Sequence, residues 1–138
     1  MKKILVTRKL IKSSEEYALS IFDAKINKND KLLTIDELIS QSDDCDGILS
    51  SLTEKIDANV ISKLPNKIRI ISNFAVGFGN IDIIAARKKN IIVTNTPDVL
   101  TDATAEIAIL ILLGAARRAK EGLEMVNKKN WKWSADFL

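Results

Sequence analysis

Short apolar runs alternate with longer amphipathic runs along the first hundred residues of the chain. The apolar runs have the length and composition of strands, with the second the weakest of them, and they cover residues 3–7, 24–27, 47–51, 68–74 and 91–94. The runs between them are predicted helices, at residues 15–22, 34–40, 57–64 and 82–89. Because the connections between successive strands are too long for hairpins, the pattern predicts βαβ units in one parallel sheet.

Sequence signals mark the ends of three of these helices. Thr34, followed three residues later by Glu37, forms a capping box. Ser13 and Ser14 precede the first helix and are expected to cap it. Pro65 is expected to end the third helix, because proline has no N–H for the helical hydrogen bonds.

Five parallel strands joined by right-handed helical crossovers predict an α/β fold, a flavodoxin-like doubly wound five-stranded sheet. Ligands of such sheets bind beyond the carboxyl ends of the strands. We therefore expect functional residues in three segments, 50–53, 74–80 and 95–104.

The last predicted helix differs from the others. It starts near Thr101, extends as far as Asn127, and is apolar on nearly every side between Ile107 and Ala116. A helix of this kind needs apolar partners all round, so we expect a second domain or a second subunit to cover it.

The chain thus divides into two predicted regions. Residues 1–100 form the sheet domain, and residues 101–138 form the long helix and a C-terminal extension. The extension contains Trp131 and Trp133, large apolar side chains where a free tail is usually polar. From this composition we expect a truncated chain.

The turn after the fourth predicted strand contains Gly77 and Gly79. A dinucleotide-binding loop would have a third glycine at position 82, where Asp82 stands instead, so such a loop is disfavoured. Two alternatives stay open. The glycines serve a tight turn that needs a permissive backbone, or the bare amides of the loop hold a small anion such as a carboxylate.

The start of the last helix also has two interpretations. Thr101 can accept a hydrogen bond from the amide of Thr104 and cap the helix, which requires no function. Alternatively, the positive end of this helix faces a ligand phosphate, and Thr104 supplies a hydroxyl group.

Composition narrows the possible functions. The 138 residues carry 21 Lys and Arg against 18 Asp and Glu, a net charge of +3, and no basic run is dense enough for a nucleic-acid site. Cys45 is the only cysteine, which excludes an internal disulfide and favours a reducing compartment. No apolar run has the length of a signal peptide or a membrane span, so we expect a cytoplasmic protein. With no histidine in the sequence, no metal site is expected.

Two stretches of the sequence resemble a known enzyme family. They are Asn73-Phe-Ala-Val-Gly-Phe-Gly-Asn-Ile-Asp82 and Ile92-Val-Thr-Asn-Thr-Pro-Asp-Val-Leu-Thr-Asp-Ala-Thr-Ala-Glu106. Both are similar to the D-isomer-specific 2-hydroxyacid dehydrogenases, and within that family to the glyoxylate/hydroxypyruvate reductases. The resemblance extends over essentially the whole chain. Gly79 departs from the family pattern, in which an aspartate is common after the aromatic residue.

The resemblance implies roles for particular residues. Leu52 would line the substrate pocket, and the amides of Val76 and Gly77 would hold the carboxylate of a small 2-oxo or 2-hydroxy acid. Val76 and Thr104 would lie at the cofactor, NAD(H) or NADP(H). The helix over residues 104–126 would serve the domain junction and a homodimer.

The resemblance also implies that parts of the enzyme are missing from this chain. The family's Rossmann domain and its catalytic arginine, glutamate and histidine lie downstream of Leu138, so no catalytic residue is expected within the sequence. The histidine protonates the forming alkoxide in the family, and this sequence contains none. We therefore expect an N-terminal substrate-domain portion of an NAD(P)-dependent dehydrogenase, inactive alone and without bound cofactor. The alternatives are a standalone module that binds small acids and an interaction module that dimerises through its last helix.

Overall fold

The computed structural model describes residues 1–129 of the chain. The chain forms two compact units, Met1–Pro97 and Asp98–Leu138. The apolar extension with Trp131 and Trp133 lies outside the described residues.

The first unit contains one five-stranded sheet. Its strands are β1 (Lys3–Val6), β2 (Asp23–Ile26), β3 (Gly47–Ser51), β4 (Ile70–Phe74) and β5 (Ile92–Thr94). They lie in the order β2-β1-β3-β4-β5, and every neighbouring pair is parallel. This is the strand order of flavodoxin-like sheets. The predicted α/β fold with five parallel strands is therefore confirmed.

Helices connect the strands as predicted. They are α1 (Lys12–Ile21), α2 (Ile35–Gln41), α3 (Ala58–Lys63) and α4 (Ile83–Lys88). A parallel sheet requires such crossovers, because each strand must return to the same end before the next begins.

The main apolar cluster lies on one face of the sheet. Leu5, Ile48 and Ile71 are neighbours in the strand register on that face, and each is at most 2% exposed. Three helices contribute apolar side chains to the same cluster, namely Leu38, Val60, Ile61 and Ala86. Burial of these side chains, at about 25 cal/mol per Å² of apolar surface, holds the carboxyl ends of the central strands in place.

The start of α2 has the predicted capping box. The backbone N–H of Glu37 donates to Oγ1 of Thr34 at 3.2 Å, and the N–H of Thr34 donates to Oε2 of Glu37 at 2.8 Å. Two backbone donors that have no partner within the helix are thereby satisfied.

The predicted cap of α1 is wrong. Ser13 and Ser14 lie inside the first turn rather than before it, and the residue that precedes the helix makes no side-chain cap. Glu15 takes over part of this role, because its Oε1 accepts a 3.0 Å hydrogen bond from the N–H of Leu10. A carboxylate is also favoured at the positive end of a helix.

The second unit contains two helices where the sequence predicted one. They are α5 (Thr101–Ala116) and α6 (Ala119–Asn127). Arg118 separates them with a φ of 51°, in the left-handed region, which cannot continue a right-handed helix. The prediction of a single helix as far as Asn127 is therefore wrong.

The predicted cap of α5 is also wrong. Thr101 is the first helical residue, and Leu100 before it makes no side-chain cap. The amide of Thr104 donates instead to the carbonyl oxygen of Leu100 at 2.9 Å. The side chains of α5 are apolar on nearly all sides, and none of its residues is buried. Among residues 1–129, no helix combines the length and apolar character needed to cross a membrane.

Candidate functional site

The carboxyl ends of β3 and β4 lie side by side. Ser51 and Phe74, the last residues of these strands, are partners in the strand register. The loop of residues 51–54, which carries Leu52, therefore starts beside the loop of residues 75–80, which carries Val76 and Gly77. The register thus brings the segments of the three predicted substrate-binding residues to one edge of the sheet.

Three consecutive carbonyl groups of the second loop are hydrogen-bonded within the protein. The carbonyl oxygen of Ala75 accepts from the N–H of Thr96 at 2.9 Å. That of Val76 accepts from Nδ2 of Asn95 at 2.7 Å, and that of Gly77 accepts from Nδ2 of Asn73 at 3.0 Å. These bonds fix the orientation of the peptide units in the loop.

Unlike these carbonyl groups, the amides of Val76 and Gly77 have no hydrogen-bond partner among the described residues. Both residues are exposed. Neighbouring free N–H groups on a fixed backbone can donate together to an anion. The loop is therefore equipped to hold a carboxylate.

Glycine at positions 77 and 79 is not required by the backbone. Neither Gly77 nor Gly79 has a positive φ, and a Cβ built at either position meets no atom within 4 Å. The interpretation as a tight turn that needs a permissive backbone is therefore wrong, because ordinary residues fit this conformation. The bare surface at Gly77 instead leaves room for a ligand.

Leu52 projects from the first loop, and its exposed fraction is 69%. Behind it, Glu54 is only 4% exposed. Oε2 of Glu54 accepts from the N–H of Ser51 at 2.8 Å, and Oε1 accepts from Oγ1 of Thr53 at 3.2 Å. The carboxylate therefore holds the loop together from inside and leaves Leu52 at the surface.

Arg8, after β1, braces the same loop from the other side. Its Nη1 donates to Oγ1 of Thr53 at 2.9 Å, and its Nε donates to Oδ1 of Asp30 at 2.8 Å. The hydrogen bond from Arg8 lowers the pKa of Asp30 from 3.8 to about 2, and the hydrogen bond with Asp30 raises the pKa of Arg8. Because Asp30 neutralises this guanidinium, Arg8 stabilises the loop through Thr53 and is not suited to bind an anion.

A shallow groove of about 340 Å³ lies along the edge of the sheet next to α4 and β5. Its lining is mostly apolar and includes Phe78, Ile83, Arg87, Ile91, Val93, Thr94 and Asn95. Neither Val76 nor Gly77 lines it, so the groove and the free amides are separate features.

Thr104, the predicted cofactor residue, belongs to the second unit and lies in the first turn of α5. Its hydroxyl group makes no hydrogen bond within the described residues. A free hydroxyl near the positive end of a 16-residue helix suits a phosphate oxygen.

The described residues support neither a metal site nor a reactive cysteine. No group of three or more His, Cys, Asp or Glu side chains between residues 1 and 129 is placed to hold a metal ion. Cys45 is buried, and burial raises the pKa of its thiol, which disfavours the reactive thiolate.

Three asparagines of this site were not singled out from the sequence. Asn73 is the second-last residue of β4, Asn80 is the last residue of the second loop, and Asn95 follows β5 directly. Polar residues next to the carboxyl ends of parallel strands are a usable signal, since ligands bind there. Some of their hydrogen-bond partners, however, lie 19 to 29 residues away along the chain.

Comparison with known proteins identifies the family. Residues 4–133 match the sequence profile of the D-isomer specific 2-hydroxyacid dehydrogenase catalytic domain. The chain belongs to this family. The match covers both resembling stretches and nearly the whole sequence.

Individual members of the family support the assignment. The chain is 41% identical to a glycerate dehydrogenase from Hyphomicrobium methylovorum, over 94% of this chain and 40% of that protein. It is 37% identical to a glyoxylate reductase from Thermococcus onnurineus, over 94% of this chain and 39% of that protein. The chain therefore spans about 40% of the length of these curated relatives.

The fold also matches that of a solved protein. This is an NADPH-dependent glyoxylate/hydroxypyruvate reductase from Sinorhizobium meliloti, whose structure contains NADP and malonate. The TM-score is 0.77 at 27% identity, and the match covers 94% of this chain and 39% of that one.

Proposed function

We propose that residues 1–100 are the substrate-binding domain of an NAD(P)-dependent D-2-hydroxyacid dehydrogenase that reduces glyoxylate or hydroxypyruvate. The printed functions of the similar proteins support this substrate class: one is a glycerate dehydrogenase, and two reduce glyoxylate or hydroxypyruvate. All of these substrates are small acids with an oxo or hydroxy group beside the carboxylate.

The free amides of Val76 and Gly77 carry the proposal. In it, these two N–H groups donate to the carboxylate of the substrate and orient its C2 carbon. The carbonyl groups of Ala75 and Val76 share peptide units with these two amides and are both hydrogen-bonded within the protein. This supports the role, because a pre-oriented donor loses little entropy on binding. The structure of the similar reductase from Sinorhizobium meliloti contains malonate, a small carboxylate, which is consistent with such a site.

Leu52 closes the proposed pocket beside the substrate. The 69% exposed fraction of this side chain leaves it accessible to a ligand. In the proposal, Leu52 excludes water from the carbon that is reduced.

The nicotinamide cofactor, NAD(H) or NADP(H), supplies the hydride in this family when it is bound. Two residues of this chain are proposed to contact it, Val76 and Thr104. The free hydroxyl group of Thr104 at the positive end of α5 suits a phosphate oxygen, while Asp102 in the same turn opposes additional negative charge. The solved relative in complex with NADP supports a nicotinamide cofactor for this protein.

We propose that the 138-residue chain has no turnover by itself. Reduction of a 2-oxo acid needs a proton for the alkoxide oxygen, and the family uses a histidine that this sequence does not contain. Residues 101–138 are accordingly proposed as the link to a Rossmann domain.

The apolar surface of α5 supports a proposed homodimer through residues 104–126. Its side chains Ile107, Ile111 and Leu112 are each more than half exposed. The helix has no charged residue between Ile107 and Ala116. Two copies that pack these surfaces together would remove apolar area from water, which favours association.

An NMR titration tests the carboxylate site. Glycolate is added to the ¹⁵N-labelled chain, with ethylene glycol as the neutral control of similar shape. The proposal predicts saturable shifts at the amides of Val76 and Gly77 with glycolate and none with ethylene glycol. Equal effects of both compounds, or no shifts at these amides, would contradict it.

A further inference from the structure

Asn80 links the two loops of the candidate site. Its Nδ2 donates to the carbonyl oxygens of Ser51 and Glu54, at 3.0 Å each. Both acceptors belong to the loop that carries Leu52. Because an amide NH₂ group has two hydrogens, these bonds use both donors of the side chain.

The acceptor of Asn80 faces the other loop. Its Oδ1 accepts a 3.1 Å hydrogen bond from Nδ2 of Asn73, whose second hydrogen is donated to the carbonyl oxygen of Gly77 at 3.0 Å. Asn73 is 1% exposed, and its Oδ1 accepts from Oγ of Ser50 at 3.1 Å. A continuous network therefore runs from the strand beneath Leu52 to the peptide of Gly77.

The backbone around Asn80 reinforces this link. The N–H of Ile56 donates to the carbonyl oxygen of Asn80 at 2.8 Å, and the N–H of Asp82 donates to that of Ile56 at 3.0 Å. Ile56 and Ile81 form an isolated parallel bridge, and both are at most 4% exposed. The ends of the two loops are thus paired, and the side chain of Asn80 connects this pairing to the loop of Leu52.

We infer that Asn80 is a positioning residue, which sets the distance between Leu52 and the amides of Val76 and Gly77. This inference rests on the proposed function and goes beyond it. The side-chain amide of Asn80 is not available to a ligand, because both of its hydrogens and its oxygen are hydrogen-bonded within the protein. Its effect on a bound acid is therefore transmitted through the loops.

The chemistry of the contact requires an amide. In Asn80→Asp, a carboxylate oxygen replaces Nδ2 and faces two carbonyl oxygens that can only accept hydrogen bonds. The two donors are lost, and the negative charge repels the carbonyl groups of Ser51 and Glu54. The first loop then moves away from the second, while the strands keep their apolar core.

The test measures loop order and acid binding in separate experiments on the 138-residue chain. Asn80→Asp is compared with Asn66→Asp, the same change at an exposed asparagine outside the network. Without ligand, amide hydrogen exchange at Ser51 and Ile56 should become faster in Asn80→Asp only. With glycolate, the dissociation constant of Asn80→Asp should rise by about tenfold or more, and that of Asn66→Asp should not change.

The outcomes separate the two claims. Unchanged exchange at Ser51 and Ile56 in a folded Asn80→Asp variant overturns the inference, as does a glycolate affinity equal to that of the wild type. Absence of glycolate binding by the wild type refutes the proposed function, while the exchange measurement still tests the link between the loops. If Asn80→Asp does not fold, Asn80→Ala removes the same donors without adding a charge, and the same criteria apply to it.

Discussion

Asn95 donates a 2.7 Å hydrogen bond from Nδ2 to the carbonyl oxygen of Val76. The donor follows β5 and the acceptor follows β4, so the bond spans two neighbouring strand ends. It turns the carbonyl group of Val76 toward the protein and leaves the loop amides toward solvent. The capacity of the loop for an anion thus depends on a residue outside it.

Removal of this bond should weaken acid binding. We expect Asn95→Ala to lower the free energy of unfolding by about 1 kcal/mol, the usual net contribution of one hydrogen bond. Glycolate affinity should also fall, because the Val76 peptide is then free to rotate. Chemical denaturation and NMR titration measure the two effects. Asn66→Ala, at an exposed turn position, is the control; equal glycolate affinities of the two variants would contradict the role of Asn95.

A methyl group at position 77 should separate binding from stability. The structure has space for a Cβ there and an ordinary φ. Gly77→Ala should therefore raise the free energy of unfolding by up to about 1 kcal/mol, since alanine restricts the unfolded chain. The same methyl group should obstruct a carboxylate at the amide and weaken glycolate binding by about tenfold or more. Gly79→Ala, which also has free space, is the matched control. A destabilised Gly77→Ala variant, or one with the glycolate affinity of the wild type, would contradict binding of the carboxylate at the amide of Gly77.

The ion pair between Arg8 and Asp30 should make stability depend on acid pH. The folded chain lowers the pKa of Asp30 from 3.8 to about 2, first through the hydrogen bond from Arg8. A lowered pKa means that the folded state favours the ionised carboxylate. The resulting stabilisation is present above about pH 4 and is lost as the pH falls toward 2.

Urea unfolding between pH 5 and about pH 2 measures this dependence. The stability difference between wild type and Asp30→Asn should shrink as the pH falls through this range. Other carboxylates, Glu37 among them, also titrate there, but their contribution cancels in the difference. Asp43→Asn removes one exposed carboxylate outside this ion pair and is the control. A wild-type advantage over Asp30→Asn that stays constant down to pH 2 would contradict the assignment.

The exposed side chain of Ile111 should determine self-association. Its exposed fraction is 64%, on the apolar helix α5. A buried aspartate at this position would be strongly disfavoured, so Ile111→Asp should yield monomer at a concentration where the wild type is dimeric. Light scattering after size-exclusion chromatography measures the mass. Tyr17→Asp changes an exposed side chain of α1 and should leave the dimer intact. A monomeric wild type, or a dimeric Ile111→Asp variant, would refute the proposed interface.

The sequence predicted the sheet because local patterns determine it. Apolar runs such as 47–51 and 68–74 contain the parallel strands β3 and β4, and their spacing requires helical crossovers. The capping box of Thr34 and Glu37 was predictable for the same reason, since its partners are three residues apart.

Features that depend on distant contacts or on a single backbone angle were not predictable. The break between α5 and α6 occurs at Arg118, which follows a run of good helix formers and is itself neither glycine nor proline. The hydrogen bonds of Asn80 join residues that are 26 and 29 positions apart. Such bonds follow only after the sheet has brought the two loops together.

Oxidation of D-glycerate and L-glycerate by the product of the complete gene tests the proposed dehydrogenase function. The reaction is followed as NAD⁺ or NADP⁺ is reduced, and the 138-residue chain is assayed beside it. We expect turnover of D-glycerate, little or none of L-glycerate, and no turnover by the 138-residue chain. Equal use of both isomers, no activity of the complete product with either cofactor, or activity of the 138-residue chain alone would contradict it.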